Sequence, residues 1–482
     1  MSDLSWPLQR AARLFAGDVA VVEGDRSVTY AELARRVRAL GGLEAQRVGL
    51  LRANSLAHME CWLGLPAFGK VLVDLNFRLS VEELALMVED AELDVLIVDE
   101  ERRAVGEQLG VALLEDYEAL VAGPEHQFPG VGDTELAAIS YTGGTTGTPK
   151  GVMLSHRNLL SNALHNLAVT GHAQEDRWLH VCPMFHVAGT SNVFACTWVG
   201  AAQIVLPGFE ATTVLATIER ERITHTVFVP TMLAMLLEHA EGADMSSVRH
   251  LQYAASPISP DLQRRVLEWL PDCDVVQFYG MTEAAPTLTR LSGRDHRERP
   301  DRLSSMGTVV PGVQAEVRAP RGEVGELWVR GPNIMLGYWN RSDATADALV
   351  DGWYRTGDLA REDDDGYLYM VDRAKDMIIS GAENVYSVEV EAVLAKHPAV
   401  DEVAVFGIPD ERWGEAVHAV VVAHAEVSAE ELIAHCRASL GGFKVPRGID
   451  LRDQPLPKSG AGKLLKNRLR EPYWAGRDRM VG

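Results

Sequence analysis

The stretch richest in groups that could do chemistry runs from Tyr141 to Gly151 and reads Tyr-Thr-Gly-Gly-Thr-Thr-Gly-Thr-Pro-Lys-Gly. Glycines let backbone amides turn inward, the hydroxyls add donors and the lysine adds positive charge, a combination suited to polyphosphate oxygens. A Walker A loop is a poor match, because Pro149 precedes the lysine and Gly151 follows it. Ordinary γ-phosphoryl transfer is therefore disfavoured. The predicted phosphate-binding residues are Thr142, Gly143, Gly144, Thr145, Thr146, Gly147, Thr148 and Lys150.

Three further segments place polar and charged groups beside strands or turns. One follows an apolar strand and reads Gln-Phe-Tyr-Gly-Met-Thr-Glu from Gln277 to Glu283. The others are Trp353–Asp358, followed by the charged string 372–376, and the glycine- and lysine-rich stretch Pro457–Lys463. Taken singly these are weak signals, since such residues are usually solvated or ion-paired. Their joint occurrence in one order is a strong signal.

In that order the segments resemble the adenylate-forming superfamily, which includes acyl-CoA synthetases, luciferases and peptide-synthetase adenylation domains. The resemblance covers nearly the whole chain. It implies that Gln277 and Tyr279 bind the nucleotide, with Tyr279 stacking on adenine, that Thr282 contacts the α-phosphate and that Glu283 binds Mg²⁺. The last role agrees with charge, since a carboxylate beside phosphates is repelled unless a hard cation lies between them.

The resemblance also assigns residues in the last third of the chain. Asp358 is expected to accept hydrogen bonds from the ribose hydroxyls, and Arg373 to face the same sugar. Lys375 falls at the position about which the C-terminal domain rotates in the family. Lys463 is the expected catalytic lysine of adenylation, where its charge offsets the repulsion between carboxylate and phosphate.

The segment Met377–Asn384 resembles the CoA-facing loop of bacterial acyl- and aryl-CoA ligases. Those enzymes commonly carry two glycines, whereas this chain has Gly381 followed by Ala382. Trp413 and Phe443 match aromatic residues near the CoA nucleotide in that branch. The methyl group of Ala382 leaves open whether CoA or an amine takes the acyl group.

The acid is expected between four segments, 185–189, 228–231, 254–257 and 280–281. They contain no Arg or Lys, so a dicarboxylate such as malonate is not expected. Their small and apolar residues favour a monocarboxylate with an aromatic or medium aliphatic body. The predicted acid-binding residues are His186, Gly189, Phe228, Ala254, Ala255, Gly280 and Met281, and those predicted to take part in catalysis are Lys463, Thr282, Glu283 and His186.

The elements around these residues indicate an α/β fold. Apolar strands at Arg47–Leu51, 94–98, 203–206, 224–229 and 274–278 alternate with helical patterns, which implies buried and mostly parallel sheets covered by helices. We predict a large N-terminal domain, residues 1–372, with layered αβ sheets and a β subdomain. A hinge at 373–376 and a small mobile α+β C-terminal domain, residues 377–482, are expected to follow.

Composition excludes several classes of partner. With 46 Lys and Arg against 68 Asp and Glu, the formal net charge is −22, which argues against general binding to nucleic acid or anionic membranes. No secretory signal or membrane-spanning run is visible, and five scattered cysteines indicate neither disulfides nor a zinc site. We expect a cytoplasmic protein, monomer or homodimer, with small-molecule partners.

These observations predict an ATP- and Mg²⁺-dependent carboxylic acid:CoA ligase that works through an acyl-adenylate. An amide bond synthetase and a stand-alone adenylation enzyme that loads a carrier protein are the alternatives within the same chemistry. A non-catalytic nucleotide-binding protein would be expected to have lost Lys463 or Glu283, and both are present.

Overall fold

A computed structural model describes residues 3–142, 149–256, 258–380, 383–410, 412–458 and 464–475. Several of the predicted site residues lie outside these ranges. They are Gly143, Gly144, Thr145, Thr146, Gly147, Thr148, Gly381, Ala382 and Lys463.

The strands are, in chain order, β1 (Val19–Glu23), β2 (Arg26–Thr29), β3 (Arg47–Leu51), β4 (Val71–Asp74), β5 (Val95–Val98), β6 (Leu136–Thr142), β7 (Lys150–Ser155), β8 (Arg177–His180), β9 (Ala202–Val205), β10 (His225–Phe228), β11 (His250–Tyr253), β12 (Asp274–Gly280), β13 (Thr287–Leu291), β14 (Thr308–Val309), β15 (Gln314–Arg318), β16 (Gly325–Arg330), β17 (Gly337–Tyr338), β18 (Leu349–Val350), β19 (Trp353–Glu362), β20 (Leu368–Arg373), β21 (Ile378–Ser380), β22 (Glu383–Val385), β23 (Val400–Asp410), β24 (Gly414–Ala423) and β25 (Gly448–Arg452).

The α-helices are α1 (Trp6–Leu14), α2 (Tyr30–Ala39), α3 (Leu56–Gly64), α4 (Val81–Asp90), α5 (Arg103–Gln108), α6 (Tyr117–Ala122), α7 (His156–Thr170), α8 (Val187–Thr190), α9 (Val193–Val199), α10 (Ala211–Glu221), α11 (Pro230–Glu238), α12 (Pro260–Trp269), α13 (Gly293–Glu298), α14 (Ser342–Ala348), α15 (Ser387–Leu394), α16 (Ala429–Arg437) and α17 (Lys466–Trp474). Short 3₁₀ turns lie at Leu40–Gly42, Pro66–Phe68, Glu100–Arg102, Thr282–Ala284 and Pro300–Arg302.

Two large sheets dominate the first three-quarters of the chain. One has nine strands in the order β14-β13-β12-β11-β10-β8-β9-β1-β2, and its strands from β12 to β1 run parallel. The other has six in the order β17-β7-β6-β4-β3-β5, where β6, β4, β3 and β5 are parallel. Parallel strands place their carboxyl ends along one edge of a sheet, where α/β proteins bind ligands. The predicted α/β class is confirmed.

The chain divides into two compact units. The first consists of residues 1–314 and 329–354, and the second of residues 315–328 and 355–482. A third sheet has the order β15-β16-β19-β18, with β20 paired to β19. The predicted hinge at 373–376 stays a prediction, because the boundary of a compact unit does not locate an axis of rotation.

The end of the chain forms a small α+β fold in the second unit. Its sheet has the order β22-β21-β24-β23, with β25 paired to β24, and β23–β24 is a long antiparallel pair. Buried aliphatic side chains from β21, α15, β23, β24 and α16 form its core, among them Ile378, Val390, Val405, Val421 and Leu432.

Local sequence signals account for many element ends. The side chains of Ser80 and Ser155 accept hydrogen bonds from the third backbone amide of α4 and α7, and both complete a capping box. The side chains of Thr29 and Ser428 likewise accept a hydrogen bond from the third backbone amide of α2 and α16. The strands predicted from apolar runs are confirmed, with ends that differ by at most two residues.

Candidate active site

The two ends of the predicted phosphate loop are held next to each other by a β-ladder. Thr142 closes β6 and Lys150 opens β7, and the two residues are direct partners in the antiparallel pairing. The Thr142 hydroxyl donates to the Lys150 carbonyl over 3.5 Å. Tyr141, one residue earlier, turns its hydroxyl to Asp90 Oδ2 at 2.7 Å and so anchors the strand. The ladder thereby fixes where the loop begins and ends.

The second motif lies at the carboxyl end of β12. Gln277 Oε1 accepts from the Tyr253 hydroxyl at 3.1 Å, so this side chain is engaged within the sheet. The half-buried Tyr279 precedes Gly280, where a Cβ atom would lie 1.8 Å from the Pro286 carbonyl oxygen. A side chain there is excluded, and the chain passes directly into the 3₁₀ turn Thr282–Ala284 that carries Glu283.

The segment from Met335 to Trp339 joins this turn to the phosphate-loop hairpin. The Met335 amide donates to the Glu283 carbonyl at 2.8 Å, and the Trp339 amide donates to the Gly151 carbonyl at 2.7 Å. Between them, Tyr338 lies opposite Val152 in the β17–β7 ladder. The nucleotide-binding segments predicted around Lys150 and Glu283, which belong to different sheets, are thus brought together within the first unit.

The four predicted acid-binding segments follow β8, β10, β11 and β12, which are neighbouring parallel strands. Their carboxyl ends therefore lie along one edge of the nine-stranded sheet. Ala254 and Ala255 follow β11, and Ala255 adopts a φ of 74°, a strained value for a residue with a side chain. Met281 follows β12 and is half-buried.

His186 immediately precedes the short helix α8, and its ring lies 4.6 Å from that of Phe185. Its Nε2 atom is buried and has no hydrogen-bond partner within the described part of the chain. Burial, together with the charge of Arg78, lowers the pKa of His186 to about 4, so the imidazole is neutral at pH 7. A neutral ring can face a carboxylate or an acyl carbonyl without adding charge to the site.

Two other predicted acid-binding residues have packing roles. Gly189 lies against the loop before it, where a Cβ atom would meet the Pro183 carbonyl oxygen at 2.2 Å. The Phe228 ring is fully buried in a core cluster with Leu179 and Tyr253. A role of either residue in binding the acid stays a prediction.

In the second unit, Asp358 and Arg373 are direct partners on β19 and β20. Arg373 Nε lies 3.4 Å from Asp358 Oδ1, and the Asp358 side chain is 4% exposed. Asp372, just before Arg373, is tied to the C-terminal fold, because Ser387 donates to its carboxylate from both its amide and its hydroxyl. The Lys375 carbonyl accepts from Arg470 at 3.3 Å.

The aromatic residues predicted near CoA are partly exposed and flanked by cations. The guanidinium groups of Arg412 and Arg447 lie 4.8 and 4.9 Å from the ring centroid of Trp413. Phe443 is 42% exposed, and its neighbour Lys444 pairs with Glu389 at 2.7 Å. Cations stacked on an exposed ring suit an anionic nucleotide, although the structure alone assigns no ligand to either ring.

The structure adds two residues that the sequence reasoning missed. Tyr338 donates its hydroxyl to Glu283 Oε1 at 2.9 Å, and Arg78 lies 5.7 Å from the ring centroid of Phe185. Arg78 comes from the loop after β4, far from the four segments in which no basic residue was found. No motif pointed to either contact, because both depend on strands that are distant in sequence.

Comparison with known proteins decides the family. The sequence model of the AMP-binding enzyme family matches residues 8–339, and that of the AMP-binding enzyme C-terminal domain matches residues 389–463. The chain belongs to the AMP-binding enzyme family. Among the described residues of this family member, no helix combines the length and hydropathy needed to cross a membrane.

Named relatives of this AMP-binding enzyme are ligases. A feruloyl-CoA synthase from an Amycolatopsis species is 39% identical, over 97% of this chain and 98% of the relative. The o-succinylbenzoate-CoA synthetase of Bacillus subtilis, solved with its acyl-adenylate intermediate, is 31% identical over 98% of both chains with a TM-score of 0.87. The same synthetase has also been solved with ATP and a magnesium ion.

A third relative differs in the bond that it forms. The amide bond synthetase of Marinactinospora thermotolerans is 32% identical and has a TM-score of 0.87, over 98% of this chain and 100% of the other. The chain is thus an adenylate-forming enzyme of the acyl-CoA and aryl-CoA ligase branch, with the large domain of layered sheets and small C-terminal domain typical of it.

Proposed function

We propose that this enzyme is an ATP-dependent carboxylic acid:CoA ligase that works through an acyl-adenylate, on an aromatic or medium-chain monocarboxylate. The observation that carries the proposal is the joining of the Lys150 hairpin to the Glu283 turn by residues 335–339. That arrangement gathers a cation, a carboxylate and the two ends of the glycine-rich segment beside the edge of the sheet where an acid can bind.

In the first half-reaction, a carboxylate oxygen of the acid attacks the α-phosphorus of ATP and the bond to the β-phosphate breaks, which releases pyrophosphate. Lys150 and the loop before it hold phosphate oxygens, and Thr282 contacts the α-phosphate. Lys463 offsets the repulsion between the attacking carboxylate and the phosphate. Asp358 and Arg373 hold the ribose.

Glu283 is the described residue best suited to a magnesium ion. Its carboxylate supplies oxygen ligands, which Mg²⁺ prefers, and its Oε1 atom is already oriented by the Tyr338 hydroxyl. The ion, when bound, neutralises phosphate charge during the transfer.

In the second half-reaction, the CoA thiolate attacks the acyl carbonyl, the bond to the phosphate oxygen breaks and AMP leaves. The two half-reactions need different groups around one carbon. We therefore include a rotation of the C-terminal domain about residues 373–376, which withdraws Lys463 and presents the loop 377–384.

The residues at the carboxyl ends of the strands in the nine-stranded sheet indicate the class of acid. His186 is neutral, and the small residues Ala254, Ala255 and Gly280 at this edge favour an acid with a flat or narrow body. Because a relative is named feruloyl-CoA synthase, ferulate is the first acid to test. Arg78, beside Phe185, is a cation that a second polar group of an acid could meet.

Amide formation is the second candidate, and the amide bond synthetase among the structural relatives favours it. The two functions share the adenylate and differ only in the nucleophile. Ala382, where CoA ligases of this branch commonly have a second glycine, is the sequence feature that bears on the choice.

The test is acid-dependent release of pyrophosphate with a panel of ferulate, benzoate, octanoate and 2-succinylbenzoate, each with CoA, with an amine and with neither. We expect an aromatic or medium-chain monocarboxylate to give a thioester in the presence of CoA. Amide formation that ignores CoA would favour the second candidate, and no acid-dependent pyrophosphate would exclude both.

The place and assembly of the enzyme are part of the proposal. All five cysteines are buried and unpaired, which suits a reducing compartment such as the cytoplasm. The enzyme acts as a monomer or a homodimer, two states that sedimentation velocity would distinguish.

A further inference from the structure

Tyr338 touches both halves of the proposed phosphate site. Its hydroxyl donates to Glu283 Oε1 at 2.9 Å, and the Lys150 ammonium lies 4.9 Å from the centroid of its ring. The residue is 8% exposed and its partners Glu283 and Lys150 are half-buried, so both contacts are partly shielded from water. A hydrogen bond to a carboxylate and a cation over an aromatic face are each stronger when they are desolvated.

The backbone leaves this side chain little freedom. Tyr338 pairs with Val152 in the β17–β7 ladder, and its amide donates to the Thr345 hydroxyl at 2.9 Å. The preceding Gly337 has a φ of 144°, and a Cβ atom there would meet the Thr345 methyl group at 2.6 Å. The ring is thus held between β7 and the Glu283 turn.

From these contacts we infer that Tyr338 is a positioning residue, which orients the Glu283 carboxylate for Mg²⁺ and sets its distance from Lys150. The inference rests on the proposed function. The hydrogen bond engages Oε1 and restrains the carboxylate, and Oε2 would then supply an oxygen ligand to the ion. A tyrosine hydroxyl, with an ordinary pKa of about 10, keeps its proton at neutral pH and so remains a donor.

The variant Tyr338→Phe separates the two contacts, because it removes the hydroxyl and keeps the ring beneath Lys150. A hydrogen bond to a charged group contributes enough that its loss should raise the Mg²⁺ concentration for half-maximal adenylation about tenfold. The KM for ATP at saturating Mg²⁺ should change much less. A matched control is Tyr30→Phe, since Tyr30 is also buried and donates its hydroxyl to the Ala201 carbonyl at 2.6 Å elsewhere.

The experiment has two readouts on wild type, Tyr338→Phe, Glu283→Gln and the double variant. The first is the Mg²⁺ dependence of pyrophosphate release, and the second is the Mg²⁺ dependence of the shift in Tm at saturating ATP, which requires no turnover. If Tyr338 acts through Glu283, adding Tyr338→Phe to Glu283→Gln changes neither readout further. The inference is overturned if Tyr338→Phe has the Mg²⁺ dependence of wild type. It is also overturned if the effects of Tyr338→Phe and Glu283→Gln add in full in the double variant.

The thermal readout keeps this test apart from the test of function. If wild type releases no pyrophosphate with any acid, the proposed function fails, while an Mg²⁺- and ATP-dependent rise in Tm that Tyr338→Phe weakens would still support the inference. If the Tm of wild type does not rise with Mg²⁺ and ATP, the inference is overturned. The Tm values without ligand, compared with Tyr30→Phe, show whether the variant has lost its fold.

Discussion

Asp358 and Arg373 are the pair for which an ordinary structural role and a role in catalysis compete most closely. Their side chains lie 3.4 Å apart across β19 and β20, and the carboxylate is almost fully buried. A buried carboxylate is costly unless it is paired, so the ion pair alone would explain both residues. Only the resemblance to adenylate-forming enzymes gives Asp358 the ribose as a second partner.

The variant Asp358→Asn tests the ribose role of this single residue. If Asp358 accepts hydrogen bonds from both ribose hydroxyls, wild type should have a higher kcat/KM with ATP than with 2′-deoxyATP. The ratio of the two kcat/KM values should be about tenfold smaller in the variant. The measurement is adenylation with each nucleotide. An unchanged preference, with only a lower Tm, would leave the ion pair as the whole explanation. Arg264→Gln, which breaks an exposed ion pair with Glu268, is a matched control.

Among the secondary-structure elements, the residues at the ends of strands contribute more to the proposed site than the residues within the strands. β12 delivers Glu283 because Gly280 lets the chain pass the Pro286 carbonyl without a side chain. The motif around Gly280 predicts a nucleotide contact. Only the fold shows that a side chain at position 280 would clash with the Pro286 carbonyl.

Gly280→Ala should therefore disturb the Glu283 turn. A Cβ atom 1.8 Å from a backbone oxygen forces the strand end to move, which we expect to lower the free energy of unfolding by about 2 kcal/mol and to slow adenylation more than tenfold. Denaturant unfolding and pyrophosphate release measure the two effects. Gly208→Ala is the control, because a Cβ atom there meets nothing within 4 Å. Equal behaviour of the two variants would contradict this role of Gly280.

The opposite edge of the nine-stranded sheet carries a group of buried imidazoles at the amino ends of the strands. The His172 ring lies 5.0 Å from that of His225, which in turn lies 5.3 Å from that of His250. Asp176 and Arg249 also face this group. Burial lowers the pKa of His172 to about 4 and that of His225 still further.

These imidazoles should make stability depend on pH. Because the folded-state pKa of His172 and His225 lies below the unfolded value of about 6.5, the unfolded chain binds the protons first. Their contribution is complete above pH 6.5 and is lost as the pH falls toward 4. We expect the urea midpoint to fall between pH 7.5 and 5.5, and to fall less steeply in His172→Gln. Parallel curves for the two proteins would contradict the assignment.

The sequence predicted the parallel strands, because apolar runs are local signals. The strands predicted at 47–51 and 274–278 are examples, and they lie at 47–51 and 274–280 in the structure. The contact between Tyr338 and Glu283 joins residues 55 positions apart, and no local pattern encodes it. The contact of Arg78 was missed for the same reason, since it reaches Phe185 from the loop after β4, a strand of the other large sheet.

In the molecule as a whole, the proposed reaction is divided between two sets of groups. Lys463 should serve adenylation alone, whereas the thioester step should use the other face of the C-terminal domain. Lys463 itself lies outside the described residues, so its role rests on the motif Pro457–Lys463.

Lys463→Ala should reduce pyrophosphate release by more than a hundredfold and leave thioester formation from supplied acyl-adenylate within about threefold of wild type, because the lysine offsets charge only in the first transition state. Lys458→Ala is the control, because Lys458 lies in the same segment as Lys463 and pairs with Glu402 of β23. Equal loss of both half-reactions in a folded Lys463→Ala protein would remove the assignment.

Activation of the acid as an acyl-adenylate underlies both half-reactions, and the fate of one oxygen atom reveals whether it occurs. The enzyme is supplied with ATP, CoA and an acid labelled with ¹⁸O in its carboxylate, and the AMP is examined by mass spectrometry. If a carboxylate oxygen attacks the α-phosphorus and the thiolate later displaces AMP, each AMP carries one ¹⁸O and the thioester keeps the other. Unlabelled AMP, or formation of ADP with labelled phosphate, would contradict this mechanism.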